Sequence, residues 1–538
     1  MKKLIPILLV LSACATVTSP TGGPKDEAPP TLIASNPVSN QKNFKGNSLE
    51  LTFNELIKLK DPKEEILITP SPGKDTKFTA KKNKLVIDPQ NAWEPNTTYS
   101  INFREGVQDL NEGNPAENLR LAFSTGPIID SLIIAGAVKE TFSEKAPDKI
   151  TVALYQSDTF NIFVHTPTYF TKCNKEGKFS IQNLKPGTYY LYAFDDKNKN
   201  LKADSKTERF GFIASPLTLT ENIDSTLVSL ISLDARPIQL TSIRHTEKTT
   251  RVRYNKAVDS LWVSTEKPVL YSFGDNSNEV IYYHNLSDTD SIKSQLIAID
   301  SLGQRTDSTI FVKRSTTKIA EESFTLKDVS QNYDNAKRTY TYILTYNKPI
   351  KSILPDSIYL QLDSASYKTV PLQNLTFDTI RHTLSIRTQE IPIDTISTPT
   401  QSKYPLKLII GKSAFISIAQ DSSKRLTKEI KFLKEDETGM VSYKLETSEP
   451  NFIVQLVTAD DKVFAEKKNT KEFIFKFVKP QEYKLRYIID RNGNGKWDPG
   501  NYLTRTEPEP VFYYKSEERR YKFPIRANWE YGPLLIKF

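Results

Sequence analysis

"FSIQNLKPGTYYLYAFDDKNKNLKAD", Phe179 to Asp204, and "FIFKFVKPQEYKLRYIIDRNGNGKWD", Phe473 to Asp498, align without a gap. Phe179 falls on Phe473, Lys185-Pro186 on Lys479-Pro480, Tyr189 on Tyr483 and Leu191 on Leu485. Asp196, Asn198, Asn200 and Asp204 fall on Asp490, Asn492, Asn494 and Asp498. Both copies carry alternating apolar and polar runs around a Lys-Pro pair, then a loop rich in Asn and Asp. Alternation puts every second side chain on one face of a strand. Each copy is therefore predicted to be strands followed by a long connection, and a unit that occurs twice marks a module.

A shorter repeat joins an aromatic residue to Asn. It stands as "LTFNELI" (Leu51–Ile57), "VRYNKAV" (Val252–Val258) and "LTYNKPI" (Leu344–Ile350). Alternation sets the first apolar residue and the aromatic on one sheet face, and Asn suits the end of a strand. Three related sandwich modules are expected. Elsewhere short alternating runs such as "KLVIDP", "ITVALYQ" and "FIVQLV" lie between turn residues, and helical periodicity is scarce. The fold class is all-β: a multidomain string of Ig-like and related β-sandwiches.

The bulk properties agree. The 538 residues exceed one domain, with about three to five expected from length. Hydrophobic residues at 38% supply cores, and 27 Phe and 25 Tyr favour strands. The net charge of +9 is dispersed without an arginine-rich stripe, so nucleic acid is not an expected partner.

The chain starts with basic "MKK" and a short apolar run, "LIPILLVLSA", too short to span a membrane. It ends in "LSAC", Leu11–Cys14, which resembles a bacterial lipobox. The resemblance implies cleavage before Cys14 and lipidation of that residue; an ordinary signal peptide with a cysteine is the other reading. The following "ATVTSPTGGPKDEAPP" reads as a flexible tether to the membrane. With Cys14 acylated, Cys173 has no intramolecular disulfide partner, and it reads as a small buried residue.

Residues 29 to 126 look like a bacterial Ig-like domain of surface-layer and Bacteroidota envelope proteins. "PPTLIASNPVSNQ", "LELTFNELI", "WEPNTTYSINF", "GVQDLNEGN" and "LAFSTG" carry the likeness. The stretch "GKFSIQNLKPGTY" resembles the carboxypeptidase regulatory-like β-sandwich, in which the module is a structural or binding accessory; the second copy departs from it at Gln481. The expected division is a signal peptide (1–13), a lipidated tether (14–30), an Ig-like domain (31–126) and a regulatory-like sandwich (127–234). Two Ig-like sandwiches (235–316, 317–436) and a second regulatory-like sandwich (437–538) complete it. The resemblances imply an outer-membrane lipoprotein on the periplasmic or cell-surface face.

The loop from Asp490 has most of a calcium pattern. Asp490, Asn492, Asn494, the Lys496 carbonyl, Asp498 and Asn501 are the oxygen candidates, with Gly495 at the turn. The alternative is a strand connection closed by Asx turns. The first copy has Leu201 at the turn position and Thr207 at the twelfth. A structural calcium ion is the single cofactor this reading leaves open.

Catalytic signatures are absent from the sequence. His165, His245, His284 and His382 have no metal-ligand spacing, and neither a nucleophile elbow nor a phosphate-binding glycine loop occurs. Adjacent carboxylates at Glu64-Glu65 and Asp195-Asp196 read as solvated faces, although a glycosidase pair requires geometry to recognise. Asp-Ser/Thr triplets recur at Asp130, Asp224, Asp259, Asp290, Asp300, Asp307, Asp356, Asp363, Asp378 and Asp394, against about two expected by chance. They resemble Bacteroidota O-glycosylation sites, and turn chemistry explains them equally. The expected function is a non-enzymatic, lipid-anchored scaffold or accessory subunit with an envelope protein partner. The alternative is a glycan-binding surface lipoprotein with Trp93, Trp262, Trp497 or Trp529 as sugar platforms. An envelope hydrolase is the third reading.

Overall fold

The computed structural model describes residues 26–537 apart from 144–145, 205–207, 233, 235, 275–276, 319–321, 335–338, 363–364, 379–382, 388–405, 431–432, 434 and 519. For 332–334 and 383–387 the backbone alone is described. Cys14 with its leader, most of the tether, Thr207, His382, Asp363 and Asp394 lie outside the described residues.

Strands dominate, and the single α-helix among the described residues is one turn, Pro62–Glu65. The molecule is a multidomain all-β protein of Ig-like sandwiches, as the alternating pattern requires. The chain divides into two compact units.

The first unit comprises residues up to Val138 with Pro147–Ala203 and Ser215–Val228. Its first sheet runs in the order Leu32–Asn36, Leu49–Phe53, Lys84–Asp88, Lys77–Lys81. The facing sheet is Leu67–Thr69, Thr98–Asn102, Arg120–Ser124. Leu49, Leu51, Phe53, Leu85 and Ile87 from one sheet meet Tyr99, Ile101, Leu121 and Phe123 from the other. Fully burying such side chains stabilises by about 1.5–3 kcal/mol each. Next in the chain, Leu132–Glu140 pairs antiparallel with Lys178–Leu184, and Thr151–Tyr155 lies between Tyr169–Lys172 and Gly187–Phe194.

The second unit comprises Lys139–Ala146, Asp204–Ala214 and Ser229–Phe538. Val252, Tyr254, Val280 and Tyr282 from one sheet pack on Leu296, Ala298, Ile310 and Val312. A further core joins Tyr342, Leu344 and Tyr346 to Ile358, Leu360, Leu408 and Ile410. In the last sandwich Val441, Tyr443 and Phe475 face Val454, Leu456, Leu485 and Tyr487. There Glu530–Lys537 pairs with Gly439–Glu446 in parallel.

Both sequence repeats are repeats of structure. Asn54, Asn255 and Asn347 each end their strand in the same clasp on the preceding one. Their side-chain oxygens accept the N–H of Thr31, Gln239 and Thr325 at 2.7, 2.9 and 2.9 Å. Their own N–H groups donate back to the carbonyls of those residues at 3.0, 3.0 and 3.1 Å. Phe53, Tyr254 and Tyr346 beside them are buried. In the longer repeat, Leu132 faces Leu184 and Ile134 faces Ile181, whereas Gly439 faces Val478 and Val441 faces Phe475. The same extra residue bulges from each strand, at Asn183 and its counterpart Phe477, both in the left-handed region (φ 59° and 56°).

Candidate functional site

The duplicated loops carry the densest polar chemistry that the sequence singles out. The loop at Asp490 closes on its own backbone. The N–H groups of Asn494 and Gly495 donate to the two oxygens of Asp490 at 3.1 and 2.7 Å. Lys496 N–H donates to the Asn494 side-chain oxygen at 2.8 Å. The first copy repeats this: Asn200 and Leu201 donate to Asp196 at 2.9 and 3.2 Å, and Lys202 donates to Asn200 at 2.8 Å. Gly493 and Gly495 are left-handed (φ 70° and 74°). Lys199 and Leu201 hold the equivalent positions in the same conformation (φ 62° and 58°), so the backbone course outlasts the glycines that favour it.

Each loop is fastened by a glutamate outside the expected set. Glu509 is 4% exposed and accepts the N–H of Asp498 at 3.0 Å and of Arg491 at 2.8 Å. Its own N–H returns to the Asp498 carbonyl at 3.0 Å. Glu208 does the same for Asp204, at 2.6 and 2.9 Å. Burial holds the Glu509 carboxyl above its ordinary value, and the Asp498 and Asp490 carboxylates add to this against two N–H donors. Glu208 lies four positions after Asp204 and Glu509 eleven positions after Asp498, so an ungapped alignment does not match them.

The calcium candidates do not all converge. The Asn492 and Asn494 amides donate to Asp498 Oδ2 at 2.6 and 2.7 Å, drawing three of them together. Asn501 turns elsewhere: its amide donates to the Leu302 carbonyl at 2.6 Å, and its oxygen accepts Leu503 N–H at 2.8 Å. The oxygens around Asp490 are Asp490, Asn492, Asn494, Asp498 and Glu509, with the Lys496 carbonyl in the same loop. An ion would require both amides to turn their oxygens inward, because NH2 groups repel a cation.

The remaining candidates separate. Trp93 packs edge-on against Tyr99 and Phe123 in the first core. Trp497 donates to the Glu509 carbonyl at 3.0 Å and meets Phe142 edge-on. Trp262 is 56% exposed, and Trp529 is 44% exposed beneath the Arg526 guanidinium. Cys173 is buried and unbridged, with burial raising its thiol. Glu65 is buried and paired with Arg104 and Lys149, while Asp195 pairs with Lys197. Of the triplet hydroxyls, those of Ser131, Ser225, Ser291 and Ser301 belong to exposed residues.

His245 and His284 both reach the Thr250 hydroxyl, at 3.1 and 3.4 Å, and burial lowers both imidazoles. Thr250 has no exposed surface, so no substrate reaches that hydroxyl. A cavity of about 470 Å³ lies nearby, lined by His284, Tyr283, Arg251, Asn347 and Lys348 among others. His165 accepts the Asn161 N–H in an exposed turn. Among the described residues no group of three or more His, Cys, Asp or Glu is placed to hold a metal. None of their helices is long and apolar enough to cross a membrane.

Residues 26–125 match the bacterial Ig-like domain family. No curated protein matches the chain. Solved structures that match the chain include BcpA, the major pilin subunit of Bacillus cereus, at 10% identity over 76% of this chain and 98% of that one, TM-score 0.13. Dimeric latent PorU from Porphyromonas gingivalis has 8% identity over 54% of this chain and 35% of that one, TM-score 0.22. The Bacteroides ovatus mixed-linkage glucan protein SGBP-B, in complex with a heptasaccharide, has 10% identity over 65% and 85%, TM-score 0.16. Superposition at this level carries no inference about activity or ligand.

Proposed function

We propose that this is a non-enzymatic, lipid-anchored cell-envelope protein, a scaffold or accessory subunit of an outer-membrane complex held by its β-sandwich modules. The observation that carries the reading lies in the second unit, where side chains from segments far apart in sequence bind chain to chain. Phe142 lies between Trp497 (4.6 Å) and the Arg486 guanidinium (5.0 Å). Lys139 donates to the Val511 carbonyl at 3.2 Å, Ala214 N–H to Glu507 at 2.8 Å, and Asn501 to Leu302. Such contacts tie distant segments of the second unit to one another, which supports a structural role. Edge strands remain for a protein partner: Leu32–Asn36 and Glu530–Lys537 each end a sheet and expose Ile33 and Leu535.

In this reading acylated Cys14 joins the modules to the membrane. A Cys14→Ser chain then leaves the membrane fraction for the soluble one; a variant that stays with the membrane contradicts the anchor. A calcium ion at the Asp490 loop would stiffen the last sandwich and take no part in chemistry. Titration calorimetry of the full chain tests this, and no heat at millimolar calcium removes the ion from the account. The exposed Trp262 favours one second reading, a glycan-binding surface lipoprotein. A glycan array on which the wild type binds and Trp262→Ala does not would replace the scaffold with it.

A further inference from the structure

The first unit holds a cleft where the strands Tyr169–Lys172 and Lys178–Leu184 approach Thr98–Asn102 and Arg120–Ser124. Its volume is about 580 Å³, and an adjoining hollow of about 390 Å³ shares Asn102, Arg104 and Arg120 with it. These volumes fall in the range of small-molecule sites. Six cations line the cleft: Arg104, Arg120, Lys149, Lys172, Lys175 and Lys178. They face three carboxylates, Glu105, Asp148 and Glu176. Two of these have their own lysines, Glu105 with Lys60 at 3.1 Å and Glu176 with Lys178 at 3.2 Å.

The wall behind is built. The Glu65 side chain, 5% exposed, pairs with Arg104 at 3.0 Å and Lys149 at 3.4 Å. The second arm of Arg104 donates to the Lys172 carbonyl at 3.2 Å. Arg104 and Lys149 both take the left-handed backbone (φ 45° and 58°), a strained conformation for side-chain-bearing residues that the surrounding contacts hold. Burial, and then the nearby Arg104, lower the Lys172 ammonium, as expected where cations crowd. No carboxylate lies within ion-pair distance of Arg120, Lys172 or Lys175 among the described residues. Arg120, Lys172 and Lys175, gathered beside the Glu65-held Arg104 and with no carboxylate of their own, are arranged for a ligand that brings one.

We infer that this cleft binds a phosphate monoester carried on a sugar-sized group. A monoester presents close to two negative charges and three acceptor oxygens, enough for Arg120, Lys172 and Lys175 together. The phosphate belongs either to a soluble sugar phosphate or to a lipid headgroup.

The test uses the full chain in unlipidated form. Glucose 1-phosphate and glucose are titrated by calorimetry, and vesicles of phosphatidylcholine with or without phosphatidic acid are tested by flotation. The expected result is binding of glucose 1-phosphate and none of glucose. Capture by phosphatidic acid vesicles in addition assigns a membrane source, and its absence a soluble one; both support the site. The Arg120→Gln/Lys172→Gln double variant should bind about tenfold more weakly or worse, equivalent to losing one charge-assisted hydrogen bond. Lys84→Gln, on the strand Lys84–Asp88 outside the cleft lining, should bind as the wild type does. Equal binding of ester and neutral sugar, no binding of either, or an unaffected double variant with an unchanged melting curve overturns the proposal.

Discussion

A single asparagine at the end of a strand does the same work three times in this chain. Asn54, Asn255 and Asn347 each exchange two hydrogen bonds with the strand before them. Replacing any of the three by Ala removes the side-chain acceptor and should destabilise its sandwich by about 1 kcal/mol, read by urea denaturation. Three similar losses are expected, and a neutral substitution at any one contradicts the shared clasp. Glu65 makes a pH-dependent contribution. Burial opposes its ionisation, but Arg104 and Lys149 prevail and lower its carboxyl below 4.5. A depressed acid stabilises the fold above its unfolded value and loses that contribution as pH falls through the folded one. Glu65→Gln should therefore destabilise at neutral pH and flatten the decline below about pH 4.5, measured by melting against pH. The aromatic-Asn pattern shows in the sequence because its residues are contiguous. Glu509 and Glu208 do not, because loops of unequal length carry them back to their aspartates.

At the scale of the element, alternation exposes most strands, but not the departures from regularity. Asn183 suits its left-handed bulge, whereas Phe477 takes the same conformation with nothing local to announce it. The Asp490 loop shows the converse. Its spacing reads as a calcium pattern, yet in both copies backbone N–H groups occupy the first aspartate, and Asn501 belongs to another turn. Ligand spacing describes which residues are near in the chain, and hydrogen bonding decides which face inward. If the two loops share one backbone course, Lys199→Gly relieves left-handed strain and should stabilise the first copy by up to about 1 kcal/mol. The reciprocal Gly493→Lys should destabilise the second by about 1–2 kcal/mol. Urea midpoints moving the other way would show that the loops differ.

For the whole molecule, the repeats in the sequence indicate that sandwiches follow one another, and the cores bear this out as a fold. The contacts within the second unit are not readable from strand patterns. Phe142, Ala214 and Asn501 look like ordinary loop residues until folding brings Trp497, Glu507 and Leu302 to them. Those contacts are the reason for proposing a scaffold, and a scaffold is defined by what it holds. The most direct measurement is the mass of the particle extracted from native membranes in mild detergent, by native mass spectrometry of the tagged, lipidated protein. The account predicts the acylated chain together with a stoichiometric second protein. A particle with the mass of the acylated chain alone would contradict it.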